Sequence, residues 1–168
     1  MGAVPSDADL RALAARLGDA LHARHHRLAT AESCTGGWVA KVLTDIPGSS
    51  GWFERGFVTY SNEAKEDMLG VPAEILARCG AVSEETVRAM AEGALANSHA
   101  DHAVAVSGIA GPGGAVPGKP VGTVCFAWAG GGRPAAVRTE RFDGDREAVR
   151  RQAVERALGG VLARLGAG

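Results

Sequence analysis

The sequence predicts a single-domain α/β fold, an α/β/α sandwich built on a mixed sheet. Three observations point there. Short apolar stretches of strand length alternate with helical patterns along the chain. Two of the strand ends run into loops of glycines and small polar residues, as strands do where they turn into helices in such folds. Near the C-terminus two strand-like stretches are joined by three glycines, which adds an antiparallel pair to the sheet. The 168 residues suffice for one hydrophobic core and are too few for two comfortable ones.

Ser6, with Asp9 three residues on, reads as a helix start, and Leu10, Leu13, Leu17 and Leu21 then recur at helical spacing. Residues 27–31 form a short strand. The run Glu32-Ser33-Cys34-Thr35-Gly36-Gly37 opens a second helix carrying Val39, Val42, Leu43 and Ile46, which Pro47-Gly48-Ser49-Ser50-Gly51 breaks. Trp38, Trp52, Phe53 and Phe57 read as core or interface, and Gly51-Trp52-Phe53 in an apparent loop suggests a contact surface between subunits. Residues 57–60 read as a strand, and Ser61 is an N-cap for a helix through about Leu69. Pro72 and Gly80 frame another short helix. Ser83, with Glu84 and Glu85 in the first turn, starts a longer one carrying Val87, Met90, Ala94 and Leu95. Residues 103–106 are a strand and residues 107–122 a glycine-rich loop. Residues 123–129 and 135–142 are the paired strands, with Gly130-Gly131-Gly132 a longer connection than the tightest turns. Asp143 or Asp145 caps a final helix burying Val154, Leu158, Val161, Leu162 and Leu165. One domain spans residues 1–168, with its core at about residues 8–165.

Composition narrows the function. The 18 basic and 19 acidic residues leave a net charge of −1, and no basic stripe with interleaved aromatics occurs, so nucleic acid is not an expected partner. No apolar run approaches membrane-spanning length, so a membrane is not expected either. Cys34, Cys79 and Cys125 are odd in number and far apart, which argues against a zinc site or a disulfide framework. Free thiols without a leader pattern point to the cytoplasm. His22, His25, His26, His99 and His102 have no acidic partner at ligand spacing, so no metal is expected.

Chemistry concentrates in the two loops, Ser33-Cys34-Thr35-Gly36-Gly37 and Ser107-Gly108-Ile109-Ala110-Gly111-Pro112-Gly113-Gly114. At the carboxyl ends of strands, glycines let the backbone approach a phosphate or a developing oxyanion. If Ser61 caps its helix, Lys65 lies one turn in, where the helix dipole disfavours a cation and burial would lower its pKa further. A neutral lysine can act as general base toward a serine hydroxyl. Tyr60, the single tyrosine, ends the preceding strand and is placed to relay a proton or position the lysine. Cys34 competes with Ser33: a thiol at a helix N-terminus has a lowered pKa, and with Glu32 and Lys65 it would make a Cys-Glu-Lys set. The residue types alone leave both nucleophiles open.

The block Thr30-Ala31-Glu32-Ser33-Cys34-Thr35-Gly36-Gly37 resembles the signature of the nicotinamide-nucleotide amidase family, also known as the C-terminal domain of the competence/damage-inducible protein CinA. Four further blocks agree: Phe57-Val58-Thr59-Tyr60-Ser61-Asn62-Glu63-Ala64-Lys65, Gly80-Ala81-Val82-Ser83, Ser107-Gly108-Ile109-Ala110-Gly111-Pro112 and Lys119-Pro120-Val121-Gly122-Thr123-Val124. The resemblance implies hydrolysis of nicotinamide mononucleotide to nicotinic acid mononucleotide and ammonia, a pyridine-nucleotide salvage step. It implies a Ser/Lys site without metal or organic cofactor, which favours Ser33 over Cys34. On this reading Lys65 is the base, with Tyr60 assisting proton transfer, and the amides around Thr35, Gly36 and Gly37 hold the oxyanion. Ser107, Gly108 and Gly111 take the ribose-phosphate end. The loop departs from the expected pattern at Ala115-Val116, where a second glycine and a polar residue are expected. Longer members carry an added N-terminal domain whose activity is not carried over to this chain. A small-molecule nucleotide is the expected partner, within a homo-oligomer. The rival expectations are a nucleotide-sensing module without turnover and a Cys34-dependent amidase acting on another amide.

Overall fold

In chain order the elements are α1 (Asp7–Arg24), β1 (Leu28–Glu32), α2 (Trp38–Thr44), a 3₁₀ turn (Ser49–Gly51), β2 (Phe53–Val58), α3 (Asn62–Leu69), α4 (Ala73–Cys79), α5 (Glu84–Ala96), β3 (His102–Gly108), β4 (Thr123–Gly130), β5 (Arg133–Arg141) and α6 (Arg146–Arg164). They come from a computed structural model that describes residues 3–166. The strands form one sheet in the order β2-β1-β3-β4-β5. Strands β2, β1 and β3 run parallel, and β4 and β5 are added antiparallel. Helices cover both faces, so the sandwich with a mixed sheet is the observed architecture.

Local chemistry sets the helix starts. Ser6 accepts from the Asp9 amide while the Asp9 carboxylate accepts from the Ser6 amide, a reciprocal cap that fixes the start of α1. Ser61, Ser83 and Asp145 accept from the amides of Ala64, Thr86 and Ala148 in the same way. The final helix is therefore capped by Asp145, not Asp143.

The strand residues divide between two cores by alternation. Val104, Val106 and Phe126 meet α1, α2 and α6 through Leu17, Leu21, Leu43, Val154 and Leu158. Ala29, Ala31, Ala103, Ala105 and Ala127 face the other way and let α5 sit close through Val87, Met90 and Ala91. Every residue of β1 is buried, as expected for a strand covered on both faces. No helix among the described residues is long and apolar enough to cross a membrane.

Three expectations need correction. Strand β2 begins at Phe53, four residues earlier than the pattern suggested, and ends at Val58, two earlier, because Arg55 and Gly56 interrupt the apolar run of this edge strand. Trp52 is accordingly core and only 4% exposed, not a subunit contact. Its ring fills the space over Gly18 of α1, where an added Cβ would stand 2.5 Å from it. The β4–β5 hairpin is tighter than expected. Gly130 pairs with Arg133, leaving Gly131 and Gly132 (φ +69° and +72°) as a two-residue turn that only left-handed backbone closes.

Candidate active site

The site lies at the carboxyl ends of β1 and β3. Glu32 ends β1 with its side chain 1% exposed, and its carboxylate turns back onto the start of α2. One oxygen accepts from the Thr35 hydroxyl (2.6 Å) and the Val39 amide (2.9 Å), the other from the Ala40 amide (3.0 Å). A negative group at the positive end of a short helix is favourable, and it leaves those amides satisfied in the interior. Glu32 therefore holds the loop that carries Ser33.

Lys65 comes to Ser33 from α3. Its side chain is fully buried. Its Nζ lies 3.0 Å from Ser33 Oγ, 2.8 Å from the Thr59 carbonyl and 3.2 Å from the Tyr60 carbonyl. Burial holds the ammonium below the ordinary lysine range. A neutral amine has two N–H donors and one lone pair. In that form the two carbonyls would take both donors and the lone pair would face the Ser33 hydroxyl; as an ammonium, the third N–H donates to Ser33 Oγ. The arrangement sets a buried amine directly against a serine hydroxyl.

Cys34 has a different environment. Burial, reinforced by the Glu32 charge, pushes its thiol up to about 12, so near neutrality it is neither a thiolate nor a base. The lowered pKa expected for a thiol at this helix start does not hold, because desolvation and the Glu32 charge outweigh the Arg150 and Lys65 charges. The proposed Cys-Glu-Lys set is not assembled, since both Glu32 oxygens are committed to α2 and Thr35.

A cavity of about 230 Å³ opens over Ser33 and Lys65, lined also by Tyr60, Val82, Ser107, Ala110 and Arg146. Tyr60 contributes its main chain to the lysine. Its side chain is 63% exposed and its hydroxyl accepts from Arg146 at 3.3 Å, so the phenol stands at the mouth, not on the Lys65 amine. Gly36 and Gly37 face elsewhere. They line a separate depression with Trp38, Lys41 and Arg150, and the Gly36 amide is spent on the Ser33 carbonyl at 3.0 Å. Both glycines have positive φ (+62° and +102°) and serve the tight turn into α2. Among the described residues, the amides of Cys34 and Thr35 remain uncommitted beside the nucleophile.

Of the second loop, Ser107 and Gly108 line the cavity and Gly111 does not. Ser107 and Gly108 belong to β3 itself. Gly108 is a glycine because a Cβ would lie 2.7 Å from the Val124 side chain and 2.9 Å from the Thr123 carbonyl, and at Gly111 a Cβ would meet Val121 at 2.6 Å. Close packing explains both. The Gly111 carbonyl accepts from Arg146 at 2.8 Å.

Two arginines of α6 complete the surroundings. Arg146 reaches the cavity mouth, and Arg150 donates to the Cys34 and Thr35 carbonyls, both at 3.1 Å, with its guanidinium over the Trp38 ring. The sequence reading missed both. Their signal was a pair of arginines one turn apart at a helix start, where cations are unfavourable without another purpose. No cluster of three or more potential metal-ligating side chains occurs among the described residues.

The family model for the CinA C-terminal domain matches residues 10–165. The chain is 60% identical over 153 residues to the nicotinamide-nucleotide amidohydrolase PncC of Escherichia coli (strain K12), covering 91% of this chain and 93% of that one. It is 57% identical over 150 residues to the protein of the same name from Pseudomonas putida, covering 89% and 93%. Among solved structures, the competence/damage inducible protein CihA from Agrobacterium tumefaciens superposes with a TM-score of 0.91 at 45% identity over 99% of both chains.

Proposed function

The chain belongs to the CinA C-terminal domain family, and we propose that it hydrolyses the amide of nicotinamide mononucleotide to give nicotinic acid mononucleotide and ammonia. The relatives named for this activity support the reaction class. The observation that carries the mechanism is the buried Lys65 Nζ 3.0 Å from Ser33 Oγ.

Neutral Lys65 takes the Ser33 proton as Oγ adds to the carboxamide carbon. The tetrahedral oxyanion accepts from amides next to Ser33, those of Cys34 and Thr35. The ammonium so formed on Lys65 is held by the Thr59 and Tyr60 carbonyls and gives its proton to the departing nitrogen, which leaves as ammonia. Water then adds to the acyl-enzyme, passing a proton to Lys65, and the collapsing intermediate returns it to Ser33 Oγ while the acid product leaves. The cycle closes on two side chains and water and calls on no metal or organic cofactor. The pyridinium ring withdraws electrons from the carboxamide and lowers the barrier to attack.

Tyr60 acts through its carbonyl in this scheme, and its phenol steadies Arg146. Arg146 takes the phosphate end: it is the cation at the mouth of a cavity too small for the whole nucleotide. A cytoplasmic location and a homo-oligomer accompany this reading; Val58, at the end of edge strand β2, and Met68 of α3 are exposed apolar side chains that a second copy could cover. Only monomers at working concentration in a sedimentation experiment would remove the oligomer. Ammonia release from nicotinamide mononucleotide tests the activity. Nucleotide binding without ammonia release would instead identify a sensing module.

A further inference from the structure

Ser33 and Ser107 are neighbours across the sheet. Strands β1 and β3 are parallel and in register, with Ala31 opposite Ala105 and Glu32 opposite Val106. The next pair is Ser33 and Ser107, and the Ser33 amide donates to the Val106 carbonyl at 3.0 Å, which continues the pairing to that point. Side chains at matching positions of parallel strands project to one face, and the strands stand about 4.8 Å apart. The face is defined by the preceding alanines: Ala29, Ala31, Ala103 and Ala105 all point toward α3–α5, the side from which Lys65 arrives.

The two hydroxyls nevertheless differ in their partners. Ser33 Oγ meets Lys65. Ser107 is only 1% exposed and lines the same cavity, yet its hydroxyl has no hydrogen-bond partner among the described residues. The Ser107 oxygen opens on that cavity and is free to donate into it. The Gly36 amide, which an oxyanion would otherwise use, is turned onto the Ser33 carbonyl, and Gly37 lines the neighbouring depression and not this cavity.

We propose that Ser107 is a further catalytic residue, donating its hydroxyl to the carboxamide oxygen as the tetrahedral oxyanion forms on Ser33. This rests on the amidohydrolase reading above and moves Ser107 from the ribose-phosphate end of the substrate to its reacting end. A hydroxyl on a strand is held more rigidly than a loop amide, and its O–H can turn toward charge that develops during attack. Ser107 forms no bond to substrate and exchanges no proton in the net reaction.

The test is steady-state ammonia release from nicotinamide mononucleotide by the full chain and its Ser107→Ala and Ser107→Thr variants. Alanine matches the neighbouring Ala103 and Ala105, so the fold should survive, which circular dichroism checks. Loss of one oxyanion donor lowers kcat by about 10²-fold or more. The account expects that loss in Ser107→Ala with KM changed little and the pH midpoint of kcat/KM unmoved. It expects Ser107→Thr, which restores the hydroxyl, to recover most of the rate. A raised KM at unchanged kcat would return Ser107 to substrate binding and overturn the proposal, as would wild-type rates in Ser107→Ala or equal loss in both variants. A wild-type chain that releases no ammonia would instead defeat the amidohydrolase reading itself, and this proposal with it.

Discussion

The Glu32 carboxylate accepts the Thr35 hydroxyl at 2.6 Å and closes the loop around Ser33 from beneath. It serves three donors in the interior at once, the other two being the Val39 and Ala40 amides. Glu32→Ala leaves all three without a partner. We expect a loss of about 3 kcal/mol or more in unfolding free energy, read by urea denaturation, and a fall in kcat as the nucleophile loop loosens. A loss under about 1 kcal/mol would mean that water replaces the carboxylate.

Activity should rise with pH through the Lys65 pKa, because only the neutral amine offers a lone pair to Ser33. Burial sets that pKa below the ordinary 10.5, and the opposing influence of Cys34 requires a thiolate that forms only near pH 12. The kcat/KM profile, which reports the free enzyme, should show a one-proton acidic limb with its midpoint below 10.5. Stability follows the same proton. Between the lowered folded value and 10.5 the unfolded chain binds more protons, so unfolding free energy climbs with pH across that window. In Lys65→Met that climb should flatten. An activity limb that persists unchanged in Ser33-competent variants lacking Lys65 would show that another group titrates.

Arg146 is held by the Gly111 carbonyl and the Tyr60 hydroxyl at the cavity mouth. Arg146→Ala should raise KM for nicotinamide mononucleotide about tenfold or more while kcat changes little, as a charge-assisted hydrogen bond to phosphate is worth about 1.5–3 kcal/mol. Nicotinamide riboside, which lacks the phosphate, should react slowly with wild type and equally slowly with the variant. An equal proportional loss on both substrates would place the guanidinium elsewhere in the mechanism.

Features decided within a few residues were legible in the sequence. Ser6, Ser61, Ser83 and Asp145 cap helices because a short side-chain oxygen beside a free amide is a local matter. The position of Lys65 one turn into α3 followed from the same cap. Strand β2 was read four residues late because an edge strand tolerates Arg55 and Gly56, which break the alternation. The Tyr60 carbonyl was not foreseen as a partner of Lys65: residue type announces a phenol, whereas the direction of a main-chain carbonyl emerges only from the turn between β2 and α3. Gly108 and Gly111 illustrate a related ambiguity, since a glycine that admits a ligand and one that admits Val124 or Val121 look alike in one dimension. Arg146 and Arg150 come from the last helix and meet the first loop only in the folded chain.

The central claim is that Ser33 attacks and Lys65 activates it, with Cys34 a packing residue next to Ser33 in the chain. Initial rates of ammonia release from nicotinamide mononucleotide by folded Ser33→Ala, Lys65→Ala and Cys34→Ala variants test it most directly. Ser33→Ala should lose several orders of magnitude, and Lys65→Ala nearly as much, because groups that act as one unit fail together. Cys34→Ala should keep much of the wild-type rate, its thiol being protonated up to about pH 12. A dead Cys34→Ala beside a working Ser33→Ala would contradict the account and make the thiol the nucleophile.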